Sequence, residues 1–132
     1  MIRTLHFVTL PAANSKERIK TMTPQQQINE VLISIVKTVK ETMPVSLIYL
    51  FGSYANGVPD EHSDLDIYIV TPDKSKRRID WAVQARKSVG RSIRMPMDFI
   101  VNYDDEFESR SQIAVSLEHE VVTRGVNISD YS

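Results

Sequence analysis

The stretch FGSYANGVPDEHSDLDIYIV, Phe51 to Val70, decides how this chain is read. A Gly52-Ser53 pair closes one apolar run, and after ten residues Asp64-Leu65-Asp66 opens another. Side chains at i and i+2 of a strand project from the same face, so Asp64 and Asp66 are aimed at one place. Two carboxylates that close repel each other. A divalent cation removes that conflict, and oxygen-only ligands suit Mg²⁺ or Mn²⁺. A Gly-Ser turn brings backbone N–H groups close to an anion, because glycine has no Cβ to block the approach. Metal-binding acids beside a phosphate-holding turn imply chemistry on a nucleoside triphosphate.

The flanking elements follow from periodicity and punctuation. Thr23-Pro24 reads as an N-cap with proline in the first helical turn. Behind it Ile28, Val31, Leu32, Ile35, Val36 and Val39 form an amphipathic stripe that Pro44 ends. Val45–Phe51, β-branched and aromatic, is expected to be a buried strand. A short helix over Ser53–Asn56 breaks at Gly57-Val58-Pro59-Asp60. Leu65–Val70 is the second strand, with Leu65, Ile67 and Ile69 facing away from the two aspartates.

Residues 73–89 then read as a helix with Ile79, Ala82, Val83 and Ala85 on a narrow apolar face and Lys74, Lys76, Arg77, Arg78, Arg86 and Lys87 around it. Gly90 stops it. Trp81 is expected to be a core or interface anchor. Met97–Val101 is a third strand, Asp104–Arg110 a short helix, and Ile113–Arg124 a last helix stopped by Gly125 at C′. Val126–Ile128 is a candidate edge strand. This order indicates an α/β sandwich around a small sheet.

Asp98 is out of place in the apolar strand Met97-Asp98-Phe99-Ile100-Val101. A buried carboxylate must be paired or metal-bound. If the third strand lies beside the second, Asp98 joins Asp64 and Asp66 around one or two metal ions and helps deprotonate an incoming hydroxyl.

The rest of the chain sets limits. Its 132 residues fit one domain, 23–132, behind an N-terminal extension, 1–22. In that extension the apolar stretch is broken by Thr4, His6, Thr9 and Pro11, short of a signal peptide, and Met22 is a candidate start. A net charge of −1 argues against a protein whose main task is gripping nucleic acid. There is no cysteine, which fits a reducing compartment such as the cytoplasm. No apolar run approaches a membrane span.

Carried by Gly52-Ser53, the ten-residue gap, Asp64-x-Asp66 and Asp98 on a later strand, the sequence resembles the DNA polymerase beta superfamily of nucleotidyltransferases. Its length resembles the minimal nucleotidyltransferases (MNT), and the resemblance runs from about Thr23 onward. It implies a palm-like fold, a small mixed sheet flanked by helices. Gly52 and Ser53 would hold the triphosphate of ATP. Asp64, Asp66 and Asp98 would bind Mg²⁺ or Mn²⁺ and carry catalysis. Ala55, Gly57 and Ser63 also fit the family pattern. Such proteins are often paired with a HEPN ribonuclease toxin, and as antitoxins they transfer AMP to a toxin tyrosine. The resemblance thus implies a HEPN-family partner and is compatible with an oligomer.

One position departs. Many minimal members carry Arg where this chain has Asn56. Two alternatives stand beside the leading reading: an antitoxin that acts by binding alone, and a small-molecule (antibiotic) adenylyltransferase that needs a partner subunit. Near the motif, His62 and the basic run Lys74–Arg78 are candidates for phosphate contact or for plain solvent exposure, and Tyr54 for nucleotide or sheet packing.

Overall fold

The computed structural model describes residues 22–132; the sequence-level expectations for the extension lie outside these residues, except at Met22, which is buried. The first helix, α1 (Pro24–Thr42), starts with the expected cap. The Thr23 hydroxyl accepts from the Gln26 N–H at 3.2 Å, and the Gln26 side chain accepts from the Thr23 N–H at 2.9 Å. This reciprocal capping box satisfies donors that the first turn would otherwise leave open.

Four strands form one mixed sheet in the order β3-β2-β1-β4. They are β1 (Leu47–Phe51), β2 (Leu65–Thr71), β3 (Met97–Tyr103) and β4 (Val126–Asn127). β1 pairs antiparallel with β2 and with β4, whereas β2 and β3 run parallel. A parallel pair needs a crossover, and α3 (Arg78–Gly90) supplies it; α2 (Ser53–Asn56) connects β1 to the loop before β2. The expected α/β class and small mixed sheet are what the chain forms.

One face of the sheet carries the main core. Leu32, Ile35, Val36 and Val39 of α1 pack with Ile48, Leu50, Leu65, Ile67, Ile69, Phe99 and Val101, and with Trp81, Ala85 and Val89 of α3. Each such aliphatic side chain contributes about 1.5–3 kcal/mol when fully buried. The opposite face is covered only in part, by α4 (Asp104–Ser111) and α5 (Leu117–Arg124), through Tyr68, Val70, Phe107 and Val121. Burial along β2 shows the consequence: every residue is buried except Asp66. The part of the sheet nearest the start of β2 and β3 is therefore left open on this face.

A buried polar cluster fastens α4 and α5 there. The Tyr68 hydroxyl donates to Glu118 Oε2 at 2.6 Å, Arg110 Nε donates to Glu118 Oε1 at 2.9 Å, and Asn102 Nδ2 donates to the Tyr68 oxygen at 3.2 Å. Burial opposes ionisation of Glu118, but the bonds from Tyr68 and Arg110 outweigh it and hold the carboxyl below its ordinary pKa.

Several expectations are corrected. The helix expected from residue 73 begins at Arg78. Asp73 spends its carboxylate on the Ser75 N–H at 2.8 Å and its carbonyl on Trp81 Nε1 at 3.0 Å, a local arrangement that competes with helix. The buried face of α3 is Trp81, Ala85 and Val89, while Ile79 and Val83 are 59% and 43% exposed. Trp81 is a core anchor, as expected. The last helix starts at Leu117 and not at Ile113, because the Ser116 hydroxyl accepts from the His119 N–H at 3.0 Å and caps it there. Gly125 ends it with an ordinary φ of −80° and not in the left-handed C′ form. Glycine is needed at that position for room, since a Cβ would collide with the Val121 carbonyl oxygen. The strands differ from expectation by one or two residues at their ends.

Candidate active site

Register builds the site. In the parallel pair Asp66 stands opposite Asp98, and in the antiparallel pair Asp66 stands opposite Phe51, the residue before Gly52. Phe99 and Val101 enter the main core, so by alternation Asp98 lies on the other face, which is also the face of Asp66. Asp64 directly precedes β2 and shares the wall of a cleft with Asp98. Asp66 and Asp98 thus lie on the same face of neighbouring strands, Asp64 stands just before β2, and Asp98 is exposed where the apolar strand had suggested a buried carboxylate.

Their proximity has an electrostatic signature. Burial, then Asp98, then Asp64 push the Asp66 carboxyl above its ordinary pKa. Like charges crowding a partly desolvated carboxylate produce that direction. Gly52 is just as close. It adopts φ +76° and ψ −155°, and a Cβ there would run into Asp66 Oδ2. Only glycine allows the turn to press its backbone against this carboxylate. Ser53 follows as the first residue of α2, half-buried, and its carbonyl accepts from the Val58 N–H at 3.1 Å.

The loop between the turn and the acidic pair is braced by Asp60. Its N–H donates to the Ser63 hydroxyl at 2.9 Å, and its carboxylate accepts from the His62 N–H at 2.8 Å. The His62 ring is exposed and lies 3.5 Å from Glu61. Tyr54 and Ala55 pack against the main core, on the side away from Asp66. Asn56 is exposed.

The basic run is mostly occupied by its own chain. Lys74 pairs with Asp105 at 2.6 Å, Arg77 pairs with Asp80 at 2.8 Å, and Lys76 lies 4.8 Å from the Trp81 ring centroid. The cation at the acidic cluster is instead Arg86, whose Nη2 lies 3.7 Å from Asp98 Oδ1. Spacing along α3 gave no signal for this role, because the contact depends on how α3 packs beside the edge strand.

Hard carboxylate oxygens crowded around Asp66 are a donor set suited to Mg²⁺ or Mn²⁺. Among the described residues, however, no three acidic or histidine side chains converge on a single point as they stand. Asp98 is turned toward Arg86.

Comparison with known proteins adds the family. The model of the nucleotidyltransferase domain matches residues 32–122, from the middle of α1 into α5. This chain belongs to the nucleotidyltransferase domain family. It is similar to the protein adenylyltransferase MntA of Shewanella oneidensis, with 39% identity over 57 residues, 42% of this chain and 40% of that protein. It is also similar to the Methanocaldococcus jannaschii protein MJ1305, provisionally named a protein adenylyltransferase, with 35% identity over 81 residues, 60% of this chain and 50% of that protein. The matches thus span half or less of the length of these two curated relatives.

Among solved structures, a Sulfolobus solfataricus protein provisionally named a nucleotidyltransferase shares the fold, with TM-score 0.53, 23% identity and coverage of 89% of this chain and 91% of that one. A toxin–antitoxin crystal structure with AMP-PNP matches with TM-score 0.50 and 25% identity over 74% of this chain and 71% of that one.

Proposed function

We propose that this protein is a metal-dependent nucleotidyltransferase that moves AMP from ATP to a hydroxyl on a partner protein, as the antitoxin of a HEPN ribonuclease toxin. The observation that carries this reading is the Asp66–Asp98 register pair beside Asp64, with Gly52 pressed against Asp66. Similarity to a protein adenylyltransferase and to a toxin–antitoxin structure with AMP-PNP supports the reaction class and the kind of partner.

In this reading Asp64, Asp66 and Asp98 hold Mg²⁺ or Mn²⁺, which when bound neutralises triphosphate charge and acidifies the attacking hydroxyl. The chain's own residues do the remainder. The Gly52-Ser53 backbone approaches the β- and γ-phosphates, and the Ser53 hydroxyl donates to a phosphate oxygen. Asp98, on the exposed edge strand, accepts the proton of the acceptor hydroxyl as that oxygen attacks the α-phosphorus. Pyrophosphate leaves, and a phosphodiester to AMP remains on the acceptor. Asp66, flanked by Phe51 and β3, keeps the geometry rigid. The Arg86–Asp98 pair opens as Asp98 turns toward the reacting groups.

The test is incubation of the protein with α-labelled ATP, Mg²⁺ and a purified HEPN-family protein as acceptor. Label that stays on the acceptor through denaturation supports the reading; γ-labelled ATP leaving label there contradicts it.

A second reading, neutralisation by binding alone, is favoured by two observations: Asn56 in place of the Arg of many minimal members, and Asp98 engaged by Arg86. Rescue of toxin-expressing cells by a variant lacking Asp64 and Asp66 would decide for it.

A further inference from the structure

A cleft of about 970 Å³ opens between the first half of α1, the short helix α2 and the chain's last residues. It is separate from the acidic cluster. Gly52, Ser53 and the three aspartates do not line it; Leu32 and Leu50 of the main core do, with Ile28, Tyr54 and Tyr131 beside them. Among the described residues that form it none is charged, in a chain that is 25% charged. A charged group entering such a cleft would lose hydration and meet no counter-charge. The occupant this lining accepts is neutral.

One wall offers a hydrogen bond. Asn29 lines the cleft yet is only 5% exposed, and its Oδ1 accepts from Gln25 Nε2 at 3.2 Å. Its Nδ2 donates to no partner among the described residues. A buried amide donor left without an acceptor costs about 1–3 kcal/mol, and a carbonyl oxygen satisfies it. Apolar side chains around a buried amide suit an extended peptide, which offers a carbonyl to the amide and its own side chains to the apolar wall.

The chain itself enters the fold at this place. Gln27 Nε2 donates to the Met22 carbonyl at 3.2 Å, and Pro24, Gln25 and Gln27 all line the cleft. Met22 is buried, so the 21 residues before it join the fold beside the opening. Residues 1–21 lie outside the described residues, but their composition matches the lining. Residues 4–15 hold no Asp, Glu, Lys or Arg and include Leu5, Phe7, Val8 and Leu10. Residues 16–21 carry the charges, Lys16, Glu17, Arg18 and Lys20. Six extended residues span up to about 20 Å, enough to return the neutral stretch to the opening.

We propose that residues 4–15 of this same chain occupy the α1–α2 cleft, with a main-chain carbonyl accepting from Asn29 Nδ2 and the apolar side chains against Ile28, Leu50, Tyr54 and Tyr131. Tethering favours this occupant over a free one, because a short linker presents it at an effective concentration in roughly the millimolar range. The proposal does not depend on the transfer reaction. Filling the cleft behind Tyr54 and Ala55 also braces α2, which begins at Ser53 beside the Gly52 turn.

The test uses the full chain. It holds no cysteine, so Thr9→Cys carries a nitroxide at a single site. The amide signals of Gln25, Asn29, Ala55 and Gly57 are expected to lose most of their intensity relative to the reduced label. Arg110 and Val122, on the helices across the sheet, should keep theirs. Adding Leu5→Asp and Phe7→Asp to the labelled chain should restore the cleft signals, and adding Lys16→Ala and Lys20→Ala should not. Undiminished cleft signals in Thr9→Cys, or broadening that survives Leu5→Asp/Phe7→Asp, overturns the proposal. Broadening of cleft signals in an isotope-labelled wild-type chain mixed with an equal amount of spin-labelled chain also overturns it, in favour of a second copy as the occupant.

Discussion

Replacing Gly52 by alanine separates backbone strain from damage to the site. The residue sits at φ +76° and ψ −155°, in a region that is essentially reserved for glycine. Forcing alanine into it costs about 1–3 kcal/mol, and for a domain of this size that lowers Tm by roughly 4–15 °C. The added Cβ also meets Asp66 Oδ2 head-on, with Asp66 Cγ 3.2 Å away and Asp66 Cβ 3.5 Å away. The carboxylate or the turn must shift, and a displacement of about 1 Å in a reacting constellation can cost on the order of 100-fold in rate.

Gly57 is the control. It has a similar φ of +77°, but a Cβ there meets nothing within 4 Å. Gly57→Ala should lose about 1–2 kcal/mol through left-handed strain and keep its transfer rate. Thermal melting read by circular dichroism and transfer of label from α-labelled ATP measure the two effects. If Gly52→Ala transfers label as fast as Gly57→Ala, the close approach of the turn to Asp66 has no catalytic meaning and the reasoning fails.

Other perturbations probe the supports of the site. Glu118→Gln weakens the buried cluster and should cost about 1–3 kcal/mol through imperfectly satisfied partners at Tyr68 and Arg110. Because the folded Glu118 carboxyl sits below its ordinary value of 4.5, its contribution is present above that pH and is lost as pH falls through the lower folded value. The wild-type protein should therefore lose stability more steeply than Glu118→Gln on acidification below pH 4.5, and denaturant melts at a series of pH values would show parallel curves if this is wrong. Trp81→Ala removes a buried ring and its bond to the Asp73 carbonyl, and should cost about 3–5 kcal/mol in urea unfolding. On the proposed antitoxin role, Asp64→Ala/Asp66→Ala should fail to rescue growth of cells expressing a cognate HEPN-family toxin; full rescue would show that covering such a toxin is sufficient.

The main lines of the fold were legible because the relevant signals are local and strong. Thr23-Pro24 and the stripe behind it produced α1 with its cap, and the alternation in Leu65–Val70 separated core residues from aspartates. Asp98 was legible as a charge in an apolar strand, and the parallel β2–β3 register explains its place. Other features depend on competition that periodicity does not weigh. Residues 79, 82, 83 and 85 fit a helical face as well as 81, 85 and 89 do, and the larger ring of Trp81 decides which face is buried. Asp73 and Ser116 set helix starts through side-chain bonds to the backbone, and both carry the residue types that act this way. The Tyr68–Glu118–Arg110 cluster and the Arg86–Asp98 contact join residues far apart in sequence, so only the packed chain brings them together.

On the proposed mechanism, Asp98 of the edge strand acts with Asp66 of β2 and with Asp64 just before it. The most direct measurement is the single-turnover rate of label transfer by Asp98→Asn, with ATP affinity and Tm recorded on the same preparation. The side chain is exposed, so Tm should be unchanged within about 1 °C, ATP should still bind, and transfer should fall by about 100-fold or more. Transfer at the wild-type rate would contradict the account.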